Sequence, residues 1–358
     1  MSDFVMPSLG ADMESAVLME WHVKEGDPVT KGQVIAEVET SKGVIEIEVF
    51  EDGIVDKILV KEETECAVGT PLAHIRTKEE ASIADVSPNE ERIKASPAAR
   101  RKAKEMGLEI ASLATATGEV HLEQLETIHE TAPKTSAAEG MRQAIAKAMS
   151  RSNTEIPHYY LSTSINMTPA LKWLETFNAA RTIQERILPA ALLIRAVVLA
   201  LKEVPELNGF WQEGEHRVSD TIHPGIAISL RKGGLITPAL INAQEMGLDE
   251  TMHSLGDLIS RTRFGKLRNT EMTQQTITIT NLGDLGVESV FGVIYPPQVA
   301  IVGLGRIMDT PWAEGDTLSV RKVIQATLAG DHRATDGRTG ALFLDKLNQI
   351  LQKPQELL

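Results

Sequence analysis

Cysteine and aromatic side chains are scarce in this chain of 358 residues, and basic residues are fewer than acidic ones. The single cysteine, Cys66, excludes an intrachain disulfide and fits a reducing compartment. Acidic residues outnumber basic ones by 50 to 36, and the resulting net charge of -14 argues against a nucleic-acid-binding protein. The most apolar run, 187–201, is interrupted by Pro189 and Arg195 and is shorter than the ~20 residues of a membrane span, so it predicts a buried helix. The N-terminus has no targeting pattern, and we expect a cytoplasmic protein without a membrane segment.

An internal repeat organises the first 77 residues. The segment 14–32 is echoed by 51–69, and every matched residue is offset by 37 positions. Both copies are rich in valine and isoleucine with turn residues between them, which is typical of short antiparallel strands. Each copy is too small to bury a face alone, so we expect the two to pack as halves of one flattened barrel.

The two copies meet in a segment, 34–50, where apolar and polar residues alternate on both sides of Ser41-Lys42-Gly43. This pattern predicts a hairpin with Lys42 at its tip, where a lysine is often only a solvated charge. The arrangement resembles the lipoyl domain of the 2-oxo acid dehydrogenase complexes, an all-β flattened barrel of two four-stranded sheets. The resemblance implies that Lys42 carries lipoate in amide linkage. A biotinyl domain shares this fold, but the methionines that flank its lysine are absent here.

A small basic module follows the first domain. The segment 78–90 has few apolar residues and predicts a flexible linker, and a second linker is expected at 128–139. Between them, Ser96-Pro97 predicts a helix start, and a helix there would place Arg100 and Lys104 on one face. Such a charged face is normally only solvated.

The region 91–127 nevertheless resembles the small helical peripheral subunit-binding domain of the same complexes. The resemblance implies that Arg100 and Lys104 contact a partner enzyme. It is degenerate, because Glu119 stands where the family has an arginine.

The remaining residues, 140–358, mix amphipathic helices with strand-like runs and predict one α/β domain. Met141, Ile145 and Met149 recur at helical spacing and predict the core stripe of a surface helix. The domain resembles the acyltransferase core of the 2-oxo acid dehydrogenase complexes, which has the chloramphenicol acetyltransferase fold. The landmarks of this resemblance follow one another over the whole domain: 141–149, 156–158, 205–208, 234–238, 278–283, 296–298 and 331–337.

The last landmark, 331–337, contains one imidazole and two carboxylates within six residues. Considered alone it predicts a surface turn with a solvated histidine, although a histidine with a pKa of ~6.5 can exchange protons near neutral pH. The resemblance implies that His332 is the catalytic base and that Asp336 supports the site electrostatically. It further implies that Thr280, from a neighbouring subunit of a homotrimer, stabilises the oxyanion. His158 and His223 are expected to be structural.

These resemblances predict an enzyme that moves an acyl group, most simply acetyl, from lipoyl-Lys42 to coenzyme A. The expected partners are a thiamine-diphosphate dehydrogenase for pyruvate, another 2-oxo acid or acetoin, and dihydrolipoamide dehydrogenase, around a larger symmetric core. No metal and no nucleic acid are expected. Branched-chain acyl or succinyl transfer remains an alternative. A non-catalytic scaffold would be expected to lack His332, and a free-standing acetyltransferase would have no use for Lys42.

Overall fold

The computed structural model describes residues 2–7, 15–40, 43–77, 94–95, 119–120, 137–230 and 234–358. They fall into two compact units, of which one comprises Met1–Lys78 with Ala137–Leu358 and the other Glu79–Ser136. The first unit contains two large hydrophobic cores, one built by residues before position 78 and one by residues after position 137. It therefore consists of an N-terminal and a C-terminal domain.

The N-terminal domain is a barrel of eight strands. They are β1 (Ser2–Val5), β2 (Ser15–Trp21), β3 (Pro28–Val29), β4 (Val34–Thr40), β5 (Gly43–Glu48), β6 (Gly53–Ile58), β7 (Thr64–Ala67) and β8 (Pro71–Thr77). Strands β1, β8, β6 and β3 form one sheet, and β5, β4, β2 and β7 form the other. Alternate residues such as Leu18, Ile35 and Ile47 are completely buried between the sheets. The predicted flattened barrel of two four-stranded sheets is confirmed.

The predicted hairpin is formed by β4 and β5. Their antiparallel ladder ends at the pair Thr40 and Gly43, which leaves a loop of two residues, Ser41 and Lys42. Two-residue loops are the tightest connection between antiparallel strands. Ser41 and Lys42 themselves lie outside the described residues.

Little of the second unit is described. Strands β9 (Lys94–Ala95) and β10 (Glu119–Val120) pair in parallel. Arg100, Lys104 and the predicted helix start at Ser96 lie outside the described residues.

The C-terminal domain consists of helices and a large mixed β-sheet. The helices are α1 (Ala137–Glu155), α2 (Thr168–Ala179), α3 (Pro189–Glu203), α4 (Leu248–Phe264), α5 (Asn269–Thr273) and α6 (Gly337–Gln352). The buried helix expected at 187–201 is α3, which begins with a proline at its first position and packs against α6. Helix α1 begins at Ala137, inside the segment predicted as a linker.

The strands of this domain form one large sheet and several short pairs. They are β11 (His158–Asn166), β12 (Gly209–Gln212), β13 (Glu215–Val218), β14 (Pro224–Ile226), β15 (Ile228–Ser229), β16 (Leu235–Ile236), β17 (Leu267–Arg268), β18 (Ile277–Asn281), β19 (Ala300–Leu304), β20 (Met308–Glu314) and β21 (Thr317–Asp331). The large sheet has the order β11-β21-β19-β18-β14, and β20 pairs with β21. Strands β14, β18 and β19 are parallel, and β21 is antiparallel to β19. The start of β18 and the end of β21 therefore lie at the same end of the sheet.

The predicted apolar stripe of α1 is wrong in part. Ile145 is exposed and Met149 is only half-buried. Among the side chains of this helix that the structure describes, Ala148 and Ser152 are buried, and the Ser152 hydroxyl donates to the Ile294 carbonyl at 2.5 Å. The face that carries Ile145 is therefore not packed against the described part of the chain.

The two domains of the first unit are in contact. Strand β17 of the C-terminal domain pairs in parallel with β5 and extends that sheet of the barrel to five strands. Among the described residues, no helix is both long and apolar enough to cross a membrane.

Candidate active site

His332 directly follows β21, at the end of the large sheet where β18 begins. Its backbone N–H donates to the Pro157 carbonyl at 3.0 Å, and its ring meets the Tyr159 ring edge-on with centroids 5.4 Å apart. The side chain is otherwise exposed. The main chain is thus fixed while the imidazole stays open to a substrate, which is what a general base requires.

Asp331 fixes this turn from below. It is completely buried and accepts hydrogen bonds from the Arg333 backbone N–H at 2.9 Å and from its guanidinium at 2.7 to 3.1 Å. The Asp331 carboxylate raises the pKa of Arg333, whose guanidinium lies 5.0 Å from the centre of the Trp211 ring. Such a charge-assisted, forked pair is among the stronger interactions available to side chains. The sequence analysis did not assign a role to Asp331, Arg333 or Trp211.

Asp336 caps the helix that follows. Its Oδ1 accepts from the backbone N–H groups of Arg338 and Thr339, each at 3.0 Å, at the N-terminus of α6. These bonds, that of Thr339 first, and the nearby His332 lower the pKa of Asp336, so the carboxylate is ionised at neutral pH. The two aspartates of this turn thus differ: Asp331 pairs with an arginine, whereas Asp336 caps a helix and places a negative charge near His332.

Tyr159 is a further residue of this site that no sequence pattern indicated. Its hydroxyl forms a 2.9 Å hydrogen bond with the Thr335 hydroxyl, and burial raises the pKa of the phenol. The ring lies over Gly330, its partner in the β11–β21 ladder, and any Cβ at position 330 would collide with it. A glycine paired with an aromatic residue next to a candidate catalytic histidine is a signal that only a correct strand register could have revealed.

The two other histidines singled out by the sequence have structural contacts. His158 bonds the Ile156 carbonyl through Nδ1 at 2.9 Å and the Ile294 N–H through Nε2 at 3.1 Å. His223 is buried, accepts from the Asn242 N–H at Nδ1, and has a pKa lowered by desolvation. Both rings are tied into the fold, as expected.

Thr280 lies on β18 and is far from His332 of the same chain. It is paired with Gly303 of β19, whereas the Asp331 N–H bonds the carbonyl of Val299, which lies four residues earlier and directly precedes β19. Four residues of strand and two strand spacings place Thr280 and His332 roughly 16 Å apart. Thr280 is half-buried, and its hydroxyl has no hydrogen-bond partner among the described residues. One chain therefore does not bring Thr280 to His332.

A buried polar network holds the strand that carries Thr280. Thr276 donates to the Asn208 amide oxygen at 2.6 Å, and Thr278 donates to the Gln298 amide oxygen at 2.7 Å. Gln275, two residues before β18, donates to the carbonyl oxygens of Thr237 and Glu271. Asn208, Thr278 and Gln298 belong to the sequence landmarks, and their buried hydrogen bonds explain why polar residues are needed there.

Comparison with known proteins identifies the family. Residues 130–358 match the model of the 2-oxoacid dehydrogenases acyltransferase catalytic domain. The chain belongs to this family. Residues 2–75 match the model described as biotin-requiring enzyme, whose domain type includes lipoyl carriers.

Full-length relatives resemble this acyltransferase from end to end. The acetyltransferase component of the acetoin cleaving system of Bacillus subtilis is 30% identical, over 99% of this chain and 98% of that protein. The acetyltransferase component of the pyruvate dehydrogenase complex of Zymomonas mobilis is 28% identical over the same shares. A crystal structure of a probable dihydrolipoamide acetyltransferase from Listeria monocytogenes is 29% identical, with a TM-score of 0.57, and covers 63% of this chain and 95% of that chain.

These matches confirm two of the predicted domain types, the all-β lipoyl-type barrel and the α/β acyltransferase core, and they confirm the acyltransferase class. The helical binding domain and the residues Arg100 and Lys104 stay predictions, as do the roles of Lys42, Thr280, His332 and Asp336.

Proposed function

We propose that this acyltransferase moves an acetyl group from dihydrolipoyl-Lys42 to coenzyme A within a pyruvate- or acetoin-dehydrogenase complex. The observation that carries the proposal is the exposed imidazole of His332 on a turn fixed by Asp331 and Pro157. It occurs in a chain whose N-terminal barrel presents a tight hairpin with a lysine in its loop. The acetyltransferases of Bacillus subtilis and Zymomonas mobilis support acetyl as the group transferred.

His332 accepts the thiol proton of coenzyme A in this reaction, and the thiolate then attacks the acyl thioester. General-base assistance of this kind contributes ~10²–10⁴ in rate. The imidazolium then protonates the sulfur that leaves as a thiolate when the tetrahedral intermediate collapses. Asp336, ionised beside His332, favours the transient positive charge on the ring.

Thr280 donates a hydrogen bond to the oxyanion that forms at the thioester carbonyl. Its hydroxyl is available, because the side chain bonds no other described residue. The separation of roughly 16 Å between Thr280 and His332 in one chain, from the strand spacings, supports a site assembled from two subunits. A homotrimer closes such an arrangement, because each chain gives Thr280 to one neighbour and His332 to the other.

Lys42 would hold the lipoyl group through an amide on its side-chain nitrogen. The group supplies a dithiol on a long flexible arm. The fit rests on the β4–β5 hairpin, which ends at the pair Thr40 and Gly43 and leaves Lys42 in a two-residue loop. A loop of this kind presents a side chain away from the barrel, where a modifying enzyme and several active sites can reach it.

The remaining assignments are that 1–77 is the lipoyl domain, 91–127 a peripheral subunit-binding domain and 140–358 the catalytic domain, with linkers at 78–90 and 128–139. Arg100 and Lys104 would bind a thiamine-diphosphate dehydrogenase or dihydrolipoamide dehydrogenase, which this acyltransferase joins in one complex. A cytoplasmic location fits the single cysteine, Cys66.

The decisive experiment measures transfer to free dihydrolipoamide from acetyl-, succinyl- and branched-chain acyl-CoA. We expect acetyl-CoA to have the highest kcat/KM, and we expect His332→Ala to lower it by at least ~10². His253→Ala, at an exposed histidine of α4, is the matched control and should retain the wild-type rate. A wild-type rate in His332→Ala contradicts the assignment of the base, and a preference for another acyl-CoA contradicts acetyl.

A further inference from the structure

The contact between the two domains involves the edge of the barrel that directly follows the lysine-bearing loop. Leu267 is paired with Ile45, and Arg268 with Glu46, where β17 lies beside β5. Strand β5 would otherwise be the edge strand of its sheet, with its backbone N–H and C=O groups unpaired on one side. Addition of a strand to such an edge is a common mode of recognition between proteins.

The side chains around this pairing belong to both domains. Ile45 and Ile47 point into the barrel, so Glu46 and Glu48 point away from it. Glu48 is nevertheless only 4% exposed. Its carboxylate accepts from the Thr270 hydroxyl at 2.8 Å and lies 3.8 Å from the Arg268 guanidinium. The C-terminal domain therefore covers and binds an acidic residue that the barrel itself leaves on its surface.

Apolar and charged complementarity extend beyond Glu48. Met272 packs against the hydrophobic cores of both domains. The segment 261–268 contains four basic residues and no acidic one, whereas 43–52 contains four acidic residues and no basic one. Opposite charges on two facing segments favour and orient their association.

Strand β17 is fixed to the rest of the catalytic domain. Glu271 accepts from the Arg268 backbone N–H at 2.9 Å and pairs through both oxygens with Arg261, which anchors β17 and α5 to α4. From there the chain passes directly into β18, the strand that carries Thr280. Strand β17 and the strand that carries Thr280 are thus joined by one short helix of the same domain.

The contact is also small enough to be released. Only two residues of β17 pair with β5, and the Arg268 side chain is half exposed. A cavity of about 760 Å³ remains beside the strands, lined by Lys31 and Phe50 of the barrel and by His253 and Asp257 of α4. Tightly packed, permanent interfaces do not leave gaps of this size.

We propose that β17, Arg268, Thr270 and Met272 form a docking site for the lipoyl domain, which recognises the β5 edge next to Lys42. This site gives the enzyme a preference for the protein-bound arm over free dihydrolipoamide. The preference rests on the transfer proposed above, whereas the docking itself does not.

Hydrogen exchange of the full-length chain without lipoate tests the docking directly. In Arg268→Glu, which repels Glu48 but leaves the backbone bond to Glu271 intact, we expect the β5 amides that face β17 to exchange roughly tenfold faster. Thr270→Val should act in the same direction. Lys172→Glu makes the same charge reversal at an exposed residue of α2, outside both charged segments, and Thr273→Val removes a hydroxyl that bonds only its own helix, so both controls should exchange like wild type. Exchange in Arg268→Glu equal to wild type overturns the docking site.

A second assay on the lipoylated, reduced chain tests the preference. Acetyl-CoA acetylates the arm of the same chain as the thioester C–S bond breaks, a new C–S bond forms to an arm thiol, and the proton of that thiol passes to coenzyme A. We expect Arg268→Glu to slow this step roughly fivefold to tenfold, because a carboxylate at position 268 repels the buried Glu48 carboxylate, and to leave transfer to free dihydrolipoamide unchanged. Equal or faster acetylation of the arm overturns the preference. If the wild type does not transfer acetyl to free dihydrolipoamide at all, the proposed function is refuted. The exchange experiment would still decide whether the docking site exists.

Discussion

Two aspartates five residues apart have different tasks around His332. Asp331 is buried and binds Arg333 through its guanidinium and its backbone, which shapes the turn. Asp336 is exposed and caps α6, where the positive end of the helix and two backbone N–H groups favour its ionised form. The first residue therefore positions the histidine, and the second sets its electrostatic surroundings.

The cap at Asp336 makes stability depend on pH. Because the folded pKa of Asp336 is lower than its ordinary value, the ionised cap stabilises the fold above pH ~4, and this contribution is lost as the pH falls through the folded pKa. Asp336→Asn keeps an acceptor for the two N–H groups but does not titrate. We expect the Tm of wild type to exceed that of Asp336→Asn at pH 6, and the difference to shrink below pH ~4.

Calorimetry at several pH values checks this expectation. Asp345→Asn, on an exposed position of the same helix, is the control, and its Tm difference from wild type should not follow this course. A Tm difference for Asp336→Asn that is the same at pH 6 and pH 3 would contradict the role of the ionised cap.

Strand β18 carries two threonines on the same face, Thr278 and Thr280, whose surroundings differ. Thr278 is buried and bonds Gln298, whereas Thr280 is half-buried and bonds no described side chain. The same substitution at the two positions should therefore have opposite consequences for stability and for rate.

Thr278→Val leaves the Gln298 amide oxygen buried without this donor, which should cost ~1–3 kcal/mol of unfolding free energy and little transfer activity per folded molecule. Thr280→Val should leave the stability almost unchanged and lower kcat by ~10²–10³, the typical effect of removing an oxyanion donor. Denaturant unfolding and the transfer assay measure both quantities. A wild-type kcat in Thr280→Val, or unchanged stability in Thr278→Val, would count against this division.

Local patterns were sufficient for most elements. Alternation predicted the hairpin of β4 and β5, and the apolar run at 187–201 predicted α3, because burial follows directly from the period of the sequence. Patterns failed where a partner determines the outcome. Ile145 has the spacing of a core residue but is exposed, and Glu48 looks like a surface residue of the barrel but is buried by the other domain. The pairing of Asp331 with Arg333 and the packing of Tyr159 on Gly330 depend on strand register, which sequence alone did not provide.

The chain combines a carrier domain and a catalytic domain. The barrel contributes the lysine loop, and the large sheet contributes His332 at the edge of β21 and Thr280 on β18. The distance between those two residues within one chain is too large for both to contact one thioester. We therefore infer that the active site is shared between neighbouring subunits.

Complementation between two inactive variants tests that claim most directly. His332→Ala and Thr280→Val chains are refolded together in equal amounts, and transfer of acetyl from acetyl-CoA to dihydrolipoamide is measured, with each variant alone as the control. In a closed ring, a site is intact when an unaltered Thr280 and an unaltered His332 meet from adjacent chains, so random mixing should restore about a quarter of the wild-type rate. A site contained within one chain would leave the mixture as inactive as its components, and that result would contradict the account.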